Sequence, residues 1–417
     1  MTPEHETLPR RVVVTGAGNL CALGTNWSGV AAALRDGVGG VVPMPGWDAI
    51  DGLHCTLGAP VTAPLLEHFS RKQRRSMGRV AQLAVQATEW ALADAALLDS
   101  ARLRDGRLGV AYGSGTGSPD ALLEFVSLLR DSTVAQLKAT SYLRAMAHTA
   151  AVNIAVHYGI TGRTLTTTSA CTAASQAIGF AFETIRSGQQ DIMLAGGAEE
   201  LTPAHCAVFD VLLATSRSDA RTPKPFDQTR DGLVLGEGAS TLVLEALPTA
   251  LARGAPILGE VIGFATNTDG SHVTQPNAAL QARCLALALK DAGLAAADID
   301  FVLAHGTATV TGDVSESQAT AQVLGRKPMV SLKGHMGHTL GACGGLEAWA
   351  GLNMLREGWL APTLNLTQPD PACAALDYVS GSPRTLTART FMSNNFAFGG
   401  INTSLIFRRY EAPQETS

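Results

Sequence analysis

Short apolar, β-branched runs alternate with amphipathic helical stretches along this chain, and that alternation admits few folds. From Arg11 to about Leu247 the strand-like runs are Val12–Val14, Leu108–Tyr112, Leu165–Thr168, Ile192–Ala195 and Ser240–Leu244. Between them, apolar residues recur at helical spacing. The pattern predicts an α/β fold with right-handed crossovers between parallel strands. From about Ile257 the alternation starts again, so 1–250 and 251–417 are read as two similar halves joined at Pro248–Pro256. Direct self-similarity between the halves is too faint to establish a repeat.

One strand end carries a nucleophile. In Thr166-Thr167-Thr168-Ser169-Ala170-Cys171 the cysteine opens a helix marked by Ala174, Ala177, Ile178, Ala181 and Ile185 and closed by Gly188. Backbone N–H groups in a first helical turn lack internal partners and favour a thiolate, but the dipole contributes only about 0.3–1 kcal/mol, less than one unit of thiol pKa. Their larger value is geometric, since they can hold the oxyanion formed when a thiol attacks an acyl group. A buried structural cysteine would look the same in isolation. Imidazole partners come from two later strand ends. Ile299–Ala304 runs into His305-Gly306-Thr307-Ala308-Thr309, and Met329–Leu332 runs into Lys333-Gly334-His335-Met336-Gly337-His338 and then a helix through Leu346, Ala350 and Leu355. A third Gly-rich turn, Asn394–Asn402, lies between strand-like Thr390–Met392 and Thr403–Phe407. Such strand ends are where α/β proteins bind ligands.

Composition narrows the function. A chain of 417 residues that is 46% hydrophobic can bury a large core. A net charge of −5 and a pI near 6.1 argue against a nucleic-acid partner. The cysteines at 21, 55, 171, 206, 284, 343 and 373 form no CxxC pair and are odd in number, which predicts a reduced, cytoplasmic protein. No apolar run reaches about 18 residues, and the start, Met1 to Thr7, is polar rather than signal-like, so no membrane span is expected. Both termini are expected to be loosely held.

Several lookalikes are set aside. Gly16-Ala17-Gly18 imitates a dinucleotide loop, but Cys21 takes the place of the third glycine and no acidic residue ends a second strand at the usual distance. His335 and His338 could be half of a metal site, yet Cys343 is the only other candidate before Glu347, so no metal is expected and His335 is read as a loop residue. A papain-like protease would carry a flanking cysteine signature that is absent here. The run Arg71-Lys72-Gln73-Arg74-Arg75, before a helix through Val80, Leu83, Ala87 and Ala91, is either a solvated face or a docking surface.

Thr168-Ser-Ala-Cys171, His305-Gly-Thr-Ala-Thr309, Lys333-x-x-x-Gly-His338 and Phe396-Ala-Phe-Gly-Gly-Ile-Asn402 resemble the β-ketoacyl-[acyl carrier protein] synthases of the thiolase superfamily. The likeness covers almost the whole chain, including Arg11-Val-Val-Val-Thr-Gly-Ala-Gly18, Ala195-Gly-Gly-Ala-Glu-Glu200 and Pro225 through Gly238. Ser169-Ala170-Cys171 and Gly312-Asp313-Val314 lean toward the type I branch. The resemblance implies two βαβαβαββ halves stacked as a five-layered α-β-α-β-α sandwich, in a homodimer. It implies that Cys171 takes an acyl group from an acyl carrier protein, with the N–H groups of Cys171 and Phe398 as oxyanion donors. His305 and His338 would then stabilise the enolate formed as malonyl thioester loses CO2. Lys333 and Glu316 match the family's supporting pair, or else form an ordinary ion pair. Thr307 and Thr309 match positions that hold the phosphopantetheine arm. Phe398 matches a gating residue with Gly399 and Gly400 as its hinge, Phe396 matches a substrate-binding position, and Arg71, Lys72 and Arg75 fall where carrier protein docks. No cofactor is implied beyond the phosphopantetheine carried by that partner.

Some positions depart from the family pattern. Val310 replaces a proline, and Ala397 and Ile401 replace glycine and threonine of the gating loop. Leu233 replaces a phenylalanine near the nucleophile, and Thr116 sits where side-chain size limits the acyl pocket. Acyl-chain preference is therefore expected to differ. A thiolase would carry a second catalytic cysteine in a late Gly-rich turn, and neither Cys343 nor Cys373 does so. A chain-length factor would lack the nucleophile. The alternative among enzymes is a specialised synthase for an aryl polyene or polyketide, working in a heterodimer.

Overall fold

The computed structural model of the chain describes residues 9–218 and 221–412, and within them eleven strands hydrogen-bond into one continuous sheet. The termini, expected to be loosely held, lie outside the described residues. Ten strands carry the architecture: β1 (Val12–Leu20), β2 (Leu108–Gly113), β3 (Thr164–Thr167), β4 (Ile192–Glu199), β5 (Gly238–Ala246), β6 (Gly259–Thr268), β7 (Phe301–Leu303), β8 (Pro328–Val330), β9 (Thr390–Ala397) and β10 (Ile401–Arg408). Counted outward from the centre, the first five lie in the order β1-β5-β4-β2-β3 and the second five in the order β6-β10-β9-β7-β8. The two orders are the same. Directions match as well, with β2 parallel to β3 and β4, and β7 parallel to β8 and β9. The halves meet where β1 pairs antiparallel with β6, Val12 opposite Val261.

Helices α1 (Arg79–Asp94), α2 (Ala173–Arg186), α4 (Ala278–Ala292) and α6 (Cys343–Glu357) pack on this sheet, α5 (Val310–Leu324) packs on α4, and α3 (Pro203–Val211) follows β4. Helix α1 packs on β1 and β5, α4 packs on β6, β10 and α5, and α2 and α6 pack on each other and on both sets of strands. Helix, sheet, helix, sheet and helix follow one another as five layers. Because α2 and α6 are covered on both sides, their contacts run through small residues. A side chain at Gly179 would strike the Phe264 ring, and one at Gly351 would strike Phe391. Strands β4 and β5 are buried at every residue, so the polar residues they carry, Glu199, Ser240, Thr241 and Glu245, are buried with them.

Several local expectations are corrected. Strand β1 does not end at Val14 but continues through Gly16 and Gly18, where a side chain at Gly16 would lie 2.7 Å from Ala95 and 2.8 Å from the Ala91 carbonyl. Those glycines admit helix α1, not a phosphate. The third turn is narrower than Asn394–Asn402, since β9 runs to Ala397 and only Phe398, Gly399 and Gly400 turn. His335 lies in a buried helical turn, Lys333–Met336, rather than a loop. The join at Pro248–Pro256 overlaps a helix, Leu247–Ala252. Among the described residues, no helix is long and apolar enough to cross a membrane.

Phe391 ties the second half-sheet together, with its ring stacked on Phe301 at 5.1 Å and on Phe407 at 4.9 Å. All three are fully buried. Phe391→Ala should therefore destabilise the fold by about 3–5 kcal/mol through lost burial and a residual cavity. Denaturant titration measures this, and a change below about 1 kcal/mol would mean that the stack contributes little.

Candidate active site

Four strand ends converge on one cavity of about 340 Å³. Beyond β3, Cys171 sits in a tight helical turn, Ala170–Thr172, that leads into α2. His305 follows β7, Lys333 and His338 follow β8, and Phe398 occupies the β9–β10 turn. The sulfur of Cys171 lies 3.0 Å from His338 Nε2. The His305 and His338 rings are 5.1 Å apart and nearly perpendicular. The Leu340 N–H donates to His338 Nδ1 at 3.3 Å, so the neutral ring carries its proton on Nε2, facing the sulfur. The three predicted catalytic groups therefore share one wall.

Burial sets their protonation. It holds both imidazoles well below the ordinary histidine value, and the Lys333 charge pushes them further in the same direction. Both are neutral donors near pH 7. The Cys171 thiol is pushed up to about 12, mainly by burial, while the Lys333 charge and the backbone N–H groups of Cys171 and Phe398 pull it back. Both N–H groups thus favour negative charge beside the sulfur, where an oxyanion would form. The sulfur and the facing ring nitrogens lie within 4.8 Å of one another, yet the neighbouring ammonium of Lys333 opposes a dication, and we assign no metal centre.

Lys333 does not pair with Glu316. Its Nζ donates to Glu347 of α6 at 2.5 Å, both groups being buried. Glu316 instead accepts the backbone N–H groups of His305 at 2.8 Å and Gly306 at 2.7 Å, and it fixes the turn after β7. Burial pushes its carboxyl up to about 8. Glu347 escaped the sequence reading, although a lone acid inside the apolar stretch Leu346 to Ala350 was the available signal. Asn395 escaped it too, taken for a turn residue. It lies on β9 and donates to Glu347 at 2.7 Å, with His305 Nδ1 at 3.4 Å.

Most predicted substrate positions line the cavity. The hydroxyls of Thr307 and Thr309 are 2.9 Å apart on its wall, and Phe396 presents its edge to His305. Phe398 stacks on Phe209 of α3 at 5.4 Å, and Gly399 and Gly400 take positive φ of 89° and 72°. Leu233 is buried in one apolar cluster with Cys171, Phe209 and Leu340. Thr116 is not brought to the cavity. The Glu199 carboxylate accepts the Gly115 N–H at 2.7 Å, and beyond that anchor Thr116 is exposed, with its hydroxyl 2.9 Å from Nε2 of the buried His205. Arg71, Lys72 and Arg75 are exposed on or beside a short helical turn that Ser70 and Gln73 cap reciprocally, and none of them lines the cavity.

The neutral imidazoles have a measurable consequence. As pH falls below about 6.5, an unfolded histidine gains a proton that His338 refuses, so native stability drops by up to about 1.4 kcal/mol per pH unit. In His338→Gln the fall in denaturant-derived stability between pH 6.5 and 5 should be shallower by about that amount. Equal slopes in the two proteins would show that His338 titrates normally.

Residues 9–250 match the family model for the β-ketoacyl synthase N-terminal domain, and residues 258–367 match that for the C-terminal domain. The chain is 37% identical to 3-oxoacyl-[acyl-carrier-protein] synthase 2 of Synechocystis sp., over 96% of this chain and 99% of that protein. A β-ketoacyl synthase structure from Burkholderia phymatum STM815 superimposes with a TM-score of 0.95 at 52% identity, covering 96% of this chain and all of that one. The ishigamide ketosynthase/chain length factor matches with a TM-score of 0.88 at 33% identity, covering 97% of this chain and all of that one. With the thiol, the paired imidazoles and the five-layered sandwich in place, the chain belongs to the β-ketoacyl synthase family.

Proposed function

We propose that the chain is a β-ketoacyl-[acyl carrier protein] synthase that condenses an acyl group on Cys171 with malonyl carrier protein. The observation that carries this reading is the thiol 3.0 Å from one neutral imidazole, with a second imidazole ring 5.1 Å from the first, in one cavity. In the first half-reaction the Cys171 sulfur attacks an acyl thioester and the C–S bond to the carrier breaks. The thiol proton leaves with the departing pantetheine thiol. Donors at Cys171 N and Phe398 N hold the oxyanion, and Thr307 and Thr309 bind the phosphopantetheine arm. In the second half-reaction the malonyl carboxylate leaves as CO2, and His305 and His338 donate to the enolate oxygen. The enolate carbon attacks acyl-Cys171, a C–C bond forms, and the thiolate departs and recovers a proton from solvent. The product is two carbons longer.

The rest of the reading follows the same chemistry. The phosphopantetheine belongs to the partner, so the enzyme uses no cofactor of its own. Arg71, Lys72 and Arg75 give the acidic carrier protein a local positive field on a chain of net charge −5. The halves 1–250 and 251–417 each supply part of the site, and the working form is a cytoplasmic homodimer in fatty acid biosynthesis. A second reading, a specialised ketosynthase for a polyene or polyketide in a heterodimer, is supported by the likeness to the ishigamide ketosynthase/chain length factor and by Leu233 beside the nucleophile.

The chemistry is tested by separating the half-reactions. Cys171→Ala should form no covalent acyl adduct by intact mass, while His305→Ala and His338→Ala should still acylate but release CO2 about 100-fold more slowly or worse. An adduct on Cys171→Ala, or normal CO2 release in both histidine variants, would overturn the assignment. The pathway is tested at Leu233. Unfilled apolar volume beside a nucleophile is there for a ligand to occupy, so the wild type should elongate short, bulky or conjugated acyl chains at least as well as long saturated ones. Leu233→Phe should narrow that range. A wild-type optimum at a long saturated chain, unchanged by Leu233→Phe, would leave housekeeping fatty acid elongation.

A further inference from the structure

We infer that Asn395 is a positioning residue that dictates which ring nitrogen of His305 carries the proton. The inference rests on the role proposed above for His305, whose N–H must point at the reacting thioester rather than into the protein.

Asn395 is buried on β9 beneath the site, and its orientation is imposed from one side. Its Nδ2 donates to Glu347 Oε2 at 2.7 Å, while Lys333 donates to the other oxygen of that carboxylate at 2.5 Å. With both oxygens accepting, Glu347 has no proton to offer. Turning the amide round would set its carbonyl against a carboxylate, so the N–H₂ end is held where it is. The second amide hydrogen has two acceptors in reach, His305 Nδ1 at 3.4 Å and Cys343 Sγ at 3.5 Å. Cys343 donates its own proton to the Cys171 carbonyl at 3.2 Å, which leaves its sulfur able only to accept.

His305 Nδ1 therefore faces a group with hydrogens and no lone pair. A proton on Nδ1 would meet another donor head-on, so the neutral ring carries its proton on Nε2. The Leu340 N–H imposes the same choice on His338. One imidazole is set by backbone and the other by a side chain. The arrangement leaves Asn395 Oδ1 buried without a hydrogen-bond partner, and a side chain at Gly344 would approach that oxygen to 2.6 Å. Gly344 keeps the space that the amide needs. An unsatisfied polar atom retained beside reacting groups is a mark of function rather than of packing.

The full-length enzyme, labelled with ¹⁵N at histidine Nδ1, tests this directly, with the His305 signal assigned by its loss in His305→Gln. The expected wild-type spectrum at pH 7 shows an unprotonated His305 Nδ1. In Asn395→Asp, where the new acid shares one proton with Glu347 and turns lone pairs on His305, that nitrogen should gain a proton. Asn395→Asp and Asn395→Leu should decarboxylate malonyl carrier protein about 10- to 100-fold more slowly in kcat, with KM little changed and Cys171 acylated at the wild-type rate. A protonated Nδ1 in the wild type, or wild-type decarboxylation by both Asn395 variants, would overturn the inference. The wild-type spectrum decides even if a variant fails to fold. Normal decarboxylation by His305→Ala would instead overturn the role of His305, a separate result because the spectrum does not depend on turnover.

Discussion

Helices α2 and α6 have almost no solvent face before their last turns, and a helix buried on every side cannot carry a charge alone. Glu347 is buried in the second turn of α6, so an ammonium must come to it from elsewhere, and Lys333 supplies it from just beyond β8. Removing either partner would leave an uncompensated charge, which typically costs about 3–5 kcal/mol. The pair therefore locks the end of β8 against α6. Everything that turns from that strand end, His338 included, inherits its position.

The same ammonium organises the chemistry. Its field makes both imidazoles harder to protonate and the thiolate easier to form, so one charge favours both proposed half-reactions. Burial acts less evenly. It assists the imidazoles, which must stay neutral, and opposes the thiol, which must lose its proton. Helix N–H groups and the lysine do not abolish that opposition, and the thiol rests protonated until a thioester arrives to take its proton away. Glu199, tied to Gly115, Ser114 and Gly341 and pushed by burial up to about 7, adds negative potential that also raises the thiol.

The sequence was most legible where chemistry and periodicity coincide. Cys171, His305 and His338 each follow an apolar run and precede small residues, and the fold places all three on one wall. The repeat of strand order was not legible as sequence identity, because β5 and β10 need only be apolar and extended to occupy equivalent places. Partner choice was the least legible. Glu316 and Glu347 are both acids within reach of Lys333 in the sequence, and only the fold decides that the second takes the ion pair while the first binds backbone N–H groups. Thr116, placed at the acyl pocket by family resemblance, does not line this cavity, and the Gly115 N–H beside it is anchored to Glu199. Gly16 and Gly18 read as a ligand turn because close approach of a helix and close approach of a phosphate demand the same residue.

The β9–β10 turn combines two duties that constrain each other. The Phe398 N–H favours the Cys171 thiolate, and the Phe398 ring stacks on Phe209 in the cavity lining. A gate that moved the whole residue would withdraw an oxyanion donor each time it opened. The backbone freedom lies after Phe398, at Gly399 and Gly400, whereas Ala397 before it is the last paired residue of β9, opposite Ile401. Gly399 and Gly400 are further held by hydrogen bonds with Val273 and Asp269. With a ladder on one side and hydrogen-bonded glycines on the other, the backbone at Phe398 is held, and under the proposed mechanism its side chain would swing while its N–H stays in place. Under the proposed mechanism, Ala397, which stands where the family resemblance would put glycine, would trade mobility of the turn for a fixed donor at Phe398.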